Sequence, residues 1–365
     1  MRCVIVTSEP ADVARASGTA VAVSALQHAL LTAGVAAPVI RPRHVRPSGT
    51  AARWRFNRQL RSQRLLDVDA ILGVNGDGWQ MARESRPPFV ALIKAFYAGA
   101  MRFERAVNRE LLRAHAHWEA AGARLAAAVV VPSQFAAGVV SAEYGVERAR
   151  VSVVPEPFDA ARWRATLPQR ARSGERVLCV AHLYPRKHVD HLLRAWPRVL
   201  AARPQARLDI IGDGPELRRL SHLARGMRNC YLHGHLEGGG LMEFHARSDV
   251  FCLPSAQETF GYAAVEAMAS GLSLVVPDSG ALAELSAGGV AEHVDADDET
   301  SIADGILRAL QPDTIALARD RNPTMTERFA PHVVAQALVA LVHRLAHPDQ
   351  RFAAGSSARS AASFT

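Results

Sequence analysis

The sequence predicts an α/β protein built from two doubly wound parallel-sheet domains. Short apolar runs, such as residues 177–181 and 250–253, are typical of strands buried on both faces. Helix-like stretches alternate with these runs along both halves of the chain, which favours right-handed parallel βαβ units. The length of 365 residues gives each of two domains enough chain for its own core.

The charge of the chain is unevenly distributed. The formal net charge is +8, with +11 in residues 1–172 and −3 in residues 173–365. A basic surplus of this kind is compatible with nucleic acid, an anionic membrane surface or an acidic substrate as partner. No run of 18 uninterrupted apolar residues occurs, so we expect no transmembrane helix. The first residues have the pattern of a strand and not of a signal peptide.

The four cysteines lie far apart, and three of them fall in apolar, strand-like runs. This distribution suggests neither a disulfide framework nor a metal cluster. Buried free thiols in a reducing cytoplasm are the better interpretation, so we expect a cytoplasmic protein.

Residues 249–276 form the central stretch, with the pattern strand, turn, helix, strand. Free N–H groups at the start of that helix would attract a phosphate, and Gly261 lets the backbone approach a ligand closely. A carboxylate accepts two hydrogen bonds from a diol, so Glu258 would suit sugar hydroxyls and Glu266 ribose hydroxyls. The spacing alone leaves an ordinary helix with two solvated glutamates as the alternative.

Residues 254–284 resemble the E-x7-E region of retaining GT-B glycosyltransferases of the GT4 type. The family run is P-S-x-x-E-x-F-G-x-x-x-x-E-A-M-A-x-G, and every fixed letter is present here. The resemblance implies that Glu258 contacts the donor sugar and Glu266 the nucleotide ribose. It also implies that the amides of Gly261 and Tyr262 face the diphosphate, with Phe260 beside them in the donor site.

A second stretch that resembles the family is the loop from His182 to Lys187, after the predicted strand 177–181. In the family, an arginine and a lysine of a G-R-x-x-x-x-K loop neutralise the donor diphosphate. Lys187 matches the lysine, whereas His182 stands in the position of the arginine. The resemblance therefore implies a catalytic set of Lys187, Glu258 and His182, with Arg186 or a protonated His182 as the second cation.

Further donor contacts follow from the same resemblance. Gly212 and Gly214 match a G-x-G-P turn that packs near the nucleotide, and this turn is not a dinucleotide fingerprint. His235 lies where the family contacts the base edge, largely through backbone groups. Gly18 follows a predicted cap, Ser17, in a loop near the donor phosphate; a capped helix start without a ligand is the alternative.

Two residues of the first half are candidates for acceptor contacts. Lys94 ends the predicted strand 89–93, where many family members carry a histidine that contacts the sugar or the acceptor. Asp77 lies in the turn 75–78, at the kind of strand end where α/β proteins place ligands. An exposed loop lysine and a simple turn are the alternatives.

Residues 41–64 hold eight arginines, His44, Trp54 and Phe56, with no acid. Two interpretations remain open. The segment is a solvated loop followed by a basic helix, or it is a surface for anionic lipid or an anionic acceptor. No nucleic-acid-binding motif accompanies it, so we expect no nucleic-acid partner.

The combined prediction is a GT-B fold and a retaining glycosyltransferase that moves a sugar from a nucleoside-diphosphate sugar to an acceptor hydroxyl of a small molecule, a glycan or a lipid-linked compound. We expect metal-independent catalysis without a cofactor. A sugar-nucleotide epimerase of the same fold, and a weakly catalytic membrane-surface binding protein, are the alternatives. The predicted parts are an acceptor-side domain (1–165), a donor-nucleotide domain (176–330), a helix crossing back to the first domain (331–347) and a disordered tail (348–365).

Overall fold

The computed structural model describes residues 1–11, 18–42, 50–61, 65, 67–83, 87–103 and 106–347. The predictions for Ser17, His44 and the 348–365 tail lie outside the described residues.

Two parallel sheets of six strands each organise the described part of the chain. The strands are β1 Cys3–Val6, β2 Val39–Ile40, β3 Ala70–Val74, β4 Phe89–Leu92, β5 Ala128–Val131, β6 Val151–Val153, β7 Arg176–Val180, β8 Arg207–Ile211, β9 Cys230–Leu232, β10 Val250–Cys252, β11 Ser273–Pro277 and β12 Ala291–Val294.

Helices connect these strands and cover the faces of both sheets. They are α1 Gly18–Thr32, α2 Thr50–Leu60, α3 Tyr97–Ala100, α4 Ala106–Leu125, α5 Gln134–Tyr144, α6 Ala160–Thr166, α7 Val189–Ala202, α8 Leu217–Leu223, α9 Gly239–Arg247, α10 Tyr262–Ala269, α11 Gly280–Ser286, α12 Glu299–Ala309, α13 Pro312–Met325 and α14 Pro331–Ala346. A short 3₁₀ turn, Pro185–Lys187, precedes α7.

The strand order is β2-β1-β3-β4-β5-β6 in the first sheet and β12-β11-β10-β7-β8-β9 in the second. All pairings between neighbouring strands are parallel. The predicted pair of doubly wound domains is therefore confirmed. In the second sheet, β7 lies beside β10 although two strands separate them in sequence. Strand order reverses at that point, and open α/β sheets bind ligands in the crevice beyond it.

The central stretch folds as its pattern predicts. Strand β10 is buried along its whole length, and the inner residues of α10, Val265 and Met268 among them, are fully buried. The sequence also predicts Ser133 as the cap of the helix after the strand 127–131. Its Oγ accepts a hydrogen bond of 3.1 Å from the N–H of Ala136 at the start of α5, which confirms this prediction. Such a bond satisfies one of the free donors of the first helical turn.

Helix α14 packs against the first domain, although it follows the second domain in sequence. Val334, Ala335 and Leu338 share a buried cluster with Val23 and Leu26 of α1. The stretch Pro312–Ala346 is long and apolar enough to resemble a membrane span by composition. It consists of α13, a 3₁₀ turn and α14, and the inner residues of α14 belong to this packed core.

Two local predictions from the sequence, a polar linker at 160–175 and one long helix at 99–124, were wrong, and one helix was not predicted. Residues 160–175, predicted as a linker, contain α6, which begins at an Asp159 cap and is anchored by Trp163 Nε1 donating to Ser270 Oγ at 2.8 Å. The predicted long helix at 99–124 is split into α3, a 3₁₀ turn and α4. Helix α13 was not predicted.

Candidate active site

The C-terminal edge of the second sheet brings the predicted donor residues together. Lys187 closes the turn after β7, and Glu258 lies in the loop after the neighbouring strand β10. The two loops are joined through the backbone of Arg186, whose carbonyl oxygen accepts from Ala256 N at 2.9 Å and from Ser255 Oγ at 3.3 Å. The site therefore stands at the switch point of this sheet, where a ligand crevice is expected.

Lys187 and Glu258 form an ion pair between Nζ and Oε1. Their side chains are only 10% and 13% exposed, so both charges are largely removed from water. Burial lowers the pKa of Lys187 below its ordinary value, although the adjacent Glu258 carboxylate opposes that shift. The lysine ammonium is thus held in a poorly solvated position, where a second anion would stabilise it further.

Arg186 and His182 lie near Lys187, and His235 lies near His182. Burial of the ring lowers the pKa of His182, and the nearby Lys187, Arg186 and His235 lower it further. His182 is therefore neutral at pH 7 in this state, and the structure does not support the expected protonated His182. Arg186 lies over the ring of Tyr184, with 4.8 Å between its Cζ and the ring centroid. These groups give the loop a positive field suited to a diphosphate.

The start of α10 lies next to this field. Gly261 precedes the helix with φ +99°, and a Cβ atom built on it would meet Leu282 Cδ2 at 2.4 Å. Within the described residues, no acceptor is paired with the N–H groups of Gly261 and Tyr262. Because this end of a helix carries partial positive charge, the two groups are free to receive an anion, and the diphosphate contact expected of them stays a prediction.

Glu266 projects from the second turn of α10. Its side chain is 20% exposed, and its Oε2 lies 3.9 Å from Nε2 of the buried His245. Burial raises the pKa of Glu266 to about 8 and lowers the pKa of His245 to about 3. Both groups are therefore mainly neutral at pH 7.

The glycine turn after β8 holds the loop that carries His182. Gly212 has φ +146°, and a Cβ atom there would stand 1.8 Å from the carbonyl oxygen of Ala181. A Cβ atom at Gly214 would stand 2.7 Å from the carbonyl oxygen of Leu183, whose N–H donates to Asp213 O at 2.9 Å. Both glycines thus permit close backbone approach within the protein, and His235 follows in the next loop.

Phe260 has a packing role. It is 5% exposed and contacts Tyr262 and Phe329 edge-on, with ring centroids 5.3 and 5.2 Å apart. A pocket that Phe260 lines with Glu284 and Arg328 includes neither Lys187 nor Glu258. The burial of Phe260 therefore favours a packing role over the direct donor contact that we expected.

The first domain contributes Lys94 and Glu156 at the facing edge. Their side chains form an ion pair and are 8% and 5% exposed. The carbonyl oxygen of Lys94 accepts from Thr259 Oγ1 at 2.7 Å, and Thr259 O accepts from Ser133 Oγ at 2.9 Å. Because Thr259 follows Glu258 directly, these bonds join the acceptor-side domain to the donor loop.

Gly18 begins α1 at the same edge of the first sheet. Among the described residues, a Cβ atom at Gly18 would meet nothing within 4 Å. The next residue, Thr19, accepts a 3.5 Å contact from Asn75 Nδ2, and Asn75 Oδ1 accepts from Lys94 N at 2.8 Å. The predicted phosphate loop and the predicted acceptor lysine therefore belong to one cluster.

Asp77 does not face this cluster. It is 1% exposed, and its carboxylate accepts from Arg53 Nε at 2.8 Å, Asn57 Nδ2 at 3.0 Å and Ser8 Oγ at 2.7 Å. A carboxylate satisfied in this way has no free side for a ligand. The acceptor contact predicted for Asp77 is therefore replaced by a structural role.

Sequence reasoning missed several residues of the site. Glu284 bridges the domains, because its carboxylate accepts from Gln134 N at 2.7 Å and Phe135 N at 3.0 Å at the start of α5. Glu156 and Thr259 were also not assigned a role, and Ser133 was predicted only as a helix cap. Their position after parallel strands was visible in the sequence, but their partners across the crevice were not.

Asp-x-Asp triplets, which bind metal ions in some glycosyltransferases, occur at Asp67–Asp69 and Asp295–Asp297. The expectation of metal-independent catalysis therefore cannot be based on the absence of this motif. Asp69 Oδ2 accepts from the N–H of Arg2 at 2.7 Å, at the N-terminal end of the first sheet. The second triplet lies between β12 and α12.

Sequence models of known glycosyltransferase families match both halves of the chain. The sequence model of "Glycosyltransferase Family 4" matches residues 3–162, and that of "Glycosyl transferases group 1" matches residues 174–312. Glycogen synthase of Mycobacterium tuberculosis is 34% identical over 145 residues, which cover 39% of this chain and 35% of that protein. The match thus spans about a third of that relative.

Two solved structures have the same fold over almost the whole chain. Sucrose-phosphate synthase from Thermosynechococcus elongatus has a TM-score of 0.74 at 18% identity, with 94% of this chain and 98% of that chain covered. Anabaena HepE, solved in complex with UDP-glucose, has a TM-score of 0.69 at 15% identity, with 94% and 99% covered. With both domain models matched in order on this fold, the chain belongs to the group 1, or GT4-type, glycosyltransferases of GT-B fold.

Proposed function

We propose that the protein is a retaining glycosyltransferase that moves a sugar from a nucleoside-diphosphate sugar to an acceptor hydroxyl. The observation that carries this proposal is the buried Lys187–Glu258 pair beside the free amides of Gly261 and Tyr262. A cation and a helix start that face one position suit a diphosphate. The carboxylate beside them suits the hydroxyls of the attached sugar. The fold neighbour solved with UDP-glucose supports a donor of this class.

Donor binding replaces the ion pair between Lys187 and Glu258 with contacts from each residue to the donor. The diphosphate takes the ammonium of Lys187, and the sugar hydroxyls take the carboxylate of Glu258. Glu266 accepts from the ribose hydroxyls one helical turn further along α10. Because all three positions lie on two loops and one short helix at the switch point of the sheet, one extended donor reaches them together.

Cleavage of the sugar–phosphate bond leaves negative charge on the diphosphate. Lys187, the amides at the start of α10 and a cation of the His182 loop stabilise this leaving group where the charge develops. These groups act without a metal at the diphosphate in our proposal. We assign no protein nucleophile, and the retained configuration at the sugar carbon is proposed from the family resemblance.

The acceptor enters from the first domain. Lys94 and Glu156 lie across the crevice from Glu258 and are tied to its loop through Thr259. A hydroxyl that replaces one partner of the Lys94–Glu156 pair would be held close to the donor sugar. Small-molecule, glycan and lipid-linked acceptors all carry such a hydroxyl.

Contact with an anionic membrane is proposed for the outer face of α2, in a cytoplasmic protein. Trp54 is 45% exposed, and Arg58 lies over its ring at 5.3 Å. An exposed tryptophan beside exposed arginines is suited to a lipid interface. Sedimentation with phosphatidylserine vesicles tests this contact, and equal binding by wild type and Trp54→Ser would contradict it.

A panel of nucleoside-diphosphate sugars tests the activity. A specific donor raises the melting temperature by mass action, and the donor that does so is then incubated with candidate acceptors. Transfer with the anomeric configuration preserved, read by NMR, is the expected result. An isomerised nucleotide sugar formed without an acceptor would identify an epimerase instead. Donor stabilisation without turnover would identify the weakly catalytic alternative.

A further inference from the structure

Two histidines and an aspartate lie together behind the turn that carries Lys187. His188 immediately precedes α7, His191 lies in its first turn, and Asp297 belongs to the loop before α12. One ligand atom from each residue can be chosen so that all three atoms lie within 4.8 Å of one another. Imidazole nitrogen and carboxylate oxygen are the donor types that Zn²⁺ and related transition-metal ions prefer.

The distance between His188 and Asp297 fits one shared ion, whereas the whole set spans up to 4.8 Å and has to contract around it. His188 Nδ1 also lies 3.3 Å from the carbonyl oxygen of Ala296, a contact that the ion would replace. His188 Nδ1 lies 3.3 Å from Asp297 Oδ1, and His191 Nδ1 lies 3.5 Å from Glu299 Oε1. Two ligands of a tetrahedral zinc with bonds of about 2.0–2.1 Å stand about 3.3–3.4 Å apart. The imidazole rings are stacked, with centroids 4.7 Å apart and an angle of 22° between their planes. Glu299 thus lies beside His191, at the edge of the set.

The hydrogen bonding of the cluster is incomplete. His191 Nδ1 is buried and has no hydrogen-bond partner within the described residues. Its contact with Glu299 is too long for a hydrogen bond, and Arg194 approaches the same carboxylate at 3.6 Å. A buried polar atom without a partner calls for an explanation, and an ion is one of the usual ones.

The backbone at His188 caps the 3₁₀ turn Pro185–Lys187 and sets the direction of its side chain. Its φ and ψ are +49° and 33°, in the left-handed region. A residue with a side chain costs about 1–2 kcal/mol there, and strain of this kind is concentrated at functional sites. This conformation holds the ring of His188 beside His191 and Asp297. His188 also contacts Phe103 of the first domain, with ring centroids 6.1 Å apart.

We propose that His188, His191 and Asp297 bind a divalent transition-metal ion of the zinc class, with Glu299 as an adjoining fourth ligand. The ion connects the start of α7 to the loop before α12, and it thereby fixes the residue that follows Lys187. It takes no part in cleavage of the donor. The site does not depend on the proposed activity, because its residues and its test concern the protein without a donor.

The experiment uses full-length protein without a polyhistidine tag, treated with chelator and then titrated with Zn²⁺ by calorimetry and with Co²⁺ by visible absorption. The expected result is about one equivalent bound in the micromolar range, the visible bands of a low-symmetry cobalt site and a higher melting temperature with metal. Three variants each remove one ligand: His188→Asn, which tolerates the left-handed backbone, His191→Gln and Asp297→Asn. Each is expected to weaken binding by at least about tenfold.

His343→Gln is the matched control, because His343 and His347 form another close histidine pair, with ring centroids 4.8 Å apart. It is expected to bind metal like the wild type. Melting in chelator shows which variants are folded, and any one folded ligand variant decides the question. Absence of saturable binding in the wild type would overturn the proposal. Binding that survives His191→Gln and disappears in His343→Gln would overturn it as well.

Discussion

Lys187 Nζ and Glu258 Oε1 are paired in a position where both side chains are almost fully enclosed, although 71 positions separate the two residues. The pair satisfies each charge while no donor is bound. Removal of one partner leaves the other as a poorly solvated, uncompensated charge. A substitution here is therefore expected to change both the stability of the fold and the rate of sugar transfer, and the two effects have to be measured separately.

Lys187→Ala is expected to lower sugar transfer by at least about 100-fold, since loss of one charge-stabilising group costs on the order of 3–4 kcal/mol in the transition state. Initial-rate measurements at saturating donor and acceptor give this value. Arg198→Ala is the control, because Arg198 pairs with Asp304 at the surface. The double variant Lys187→Ala/Glu258→Gln removes the uncompensated carboxylate. Recovered stability with lost activity fits our assignment, whereas full activity in Lys187→Ala rejects it.

His182→Arg is expected to strengthen binding of a nucleoside diphosphate at pH 7–8. Burial and neighbouring cations lower the pKa of His182 from its ordinary value, which favours the neutral ring, whereas arginine stays charged. Wild-type affinity should rise as the pH falls toward the lowered pKa, since the bound diphosphate favours the protonated ring. Calorimetric titrations at several pH values should show that the arginine variant lacks this rise. An arginine variant that binds more weakly at pH 8 would contradict the proposed diphosphate contact.

The fold was predictable because parallel strands buried on both faces leave short apolar runs in the sequence. The order of strands and helices follows from those runs, as the predicted run 250–253 illustrates, because it contains the strand β10. Helix α13 was missed because its residues, ALARDRNPTM among them, show no continuous apolar stripe. The helix is held by a few contacts, such as Asn322 Nδ2 donating to Leu272 O at 2.7 Å.

The site was predictable only in part. The motif identified Lys187 and Glu258 separately, but their pairing depends on β7 and β10 being neighbours, which no local pattern encodes. The structural role of the basic segment, residues 41–64, was harder to predict than the roles of the motif residues. Its charge suggested one solvated face, yet Arg53 is directed into the first domain while Arg55 stays exposed. Charge alone does not show which arginine of a helix will find a buried acid.

The raised pKa of Glu266 predicts a pH dependence of nucleotide binding. Burial raises this pKa to about 8, so the carboxyl group is mainly protonated at pH 7 and ionised at pH 9. If ribose hydroxyls bind the ionised form, the affinity attributable to Glu266 rises by about tenfold between these two pH values. Calorimetry of wild type and Glu266→Gln across this range measures the difference, because glutamine does not titrate. Parallel curves for the two proteins would contradict the ribose contact.

Gly212→Ala is expected to displace the loop that carries His182 and Lys187. The new Cβ would stand 1.8 Å from Ala181 O, so the loop must move. We expect a loss of stability of about 1–3 kcal/mol and a raised KM for the donor. Gly226→Ala is the matched control, because Gly226 also has a positive φ, +79°, but has nothing within 4 Å of the added atom. Equal effects of both variants on KM would show that the loop does not depend on this close approach.

The final prediction concerns Arg53, which connects the basic segment to the core. Its guanidinium donates to Asp77 Oδ1 at 2.8 Å and to Tyr97 Oη at 2.5 Å, and it also contacts His115 Nδ1 at 3.1 Å. Burial raises the pKa of Tyr97 to about 12 and lowers that of His115 to about 4, so Arg53 is the cation that balances Asp77 at neutral pH.

Arg53→Ala leaves Asp77 buried without its main countercharge, which is expected to cost about 3–5 kcal/mol of unfolding free energy. Arg55→Ala changes an exposed residue of the same helix and is expected to stay within about 0.5 kcal/mol of wild type. Urea denaturation measures both values. The double variant Arg53→Met/Asp77→Asn removes both charges and should recover part of the loss, because the cost comes mainly from the unpaired carboxylate. Equal stability of the two alanine variants would mean that Arg53 belongs to the solvated face of the basic segment after all.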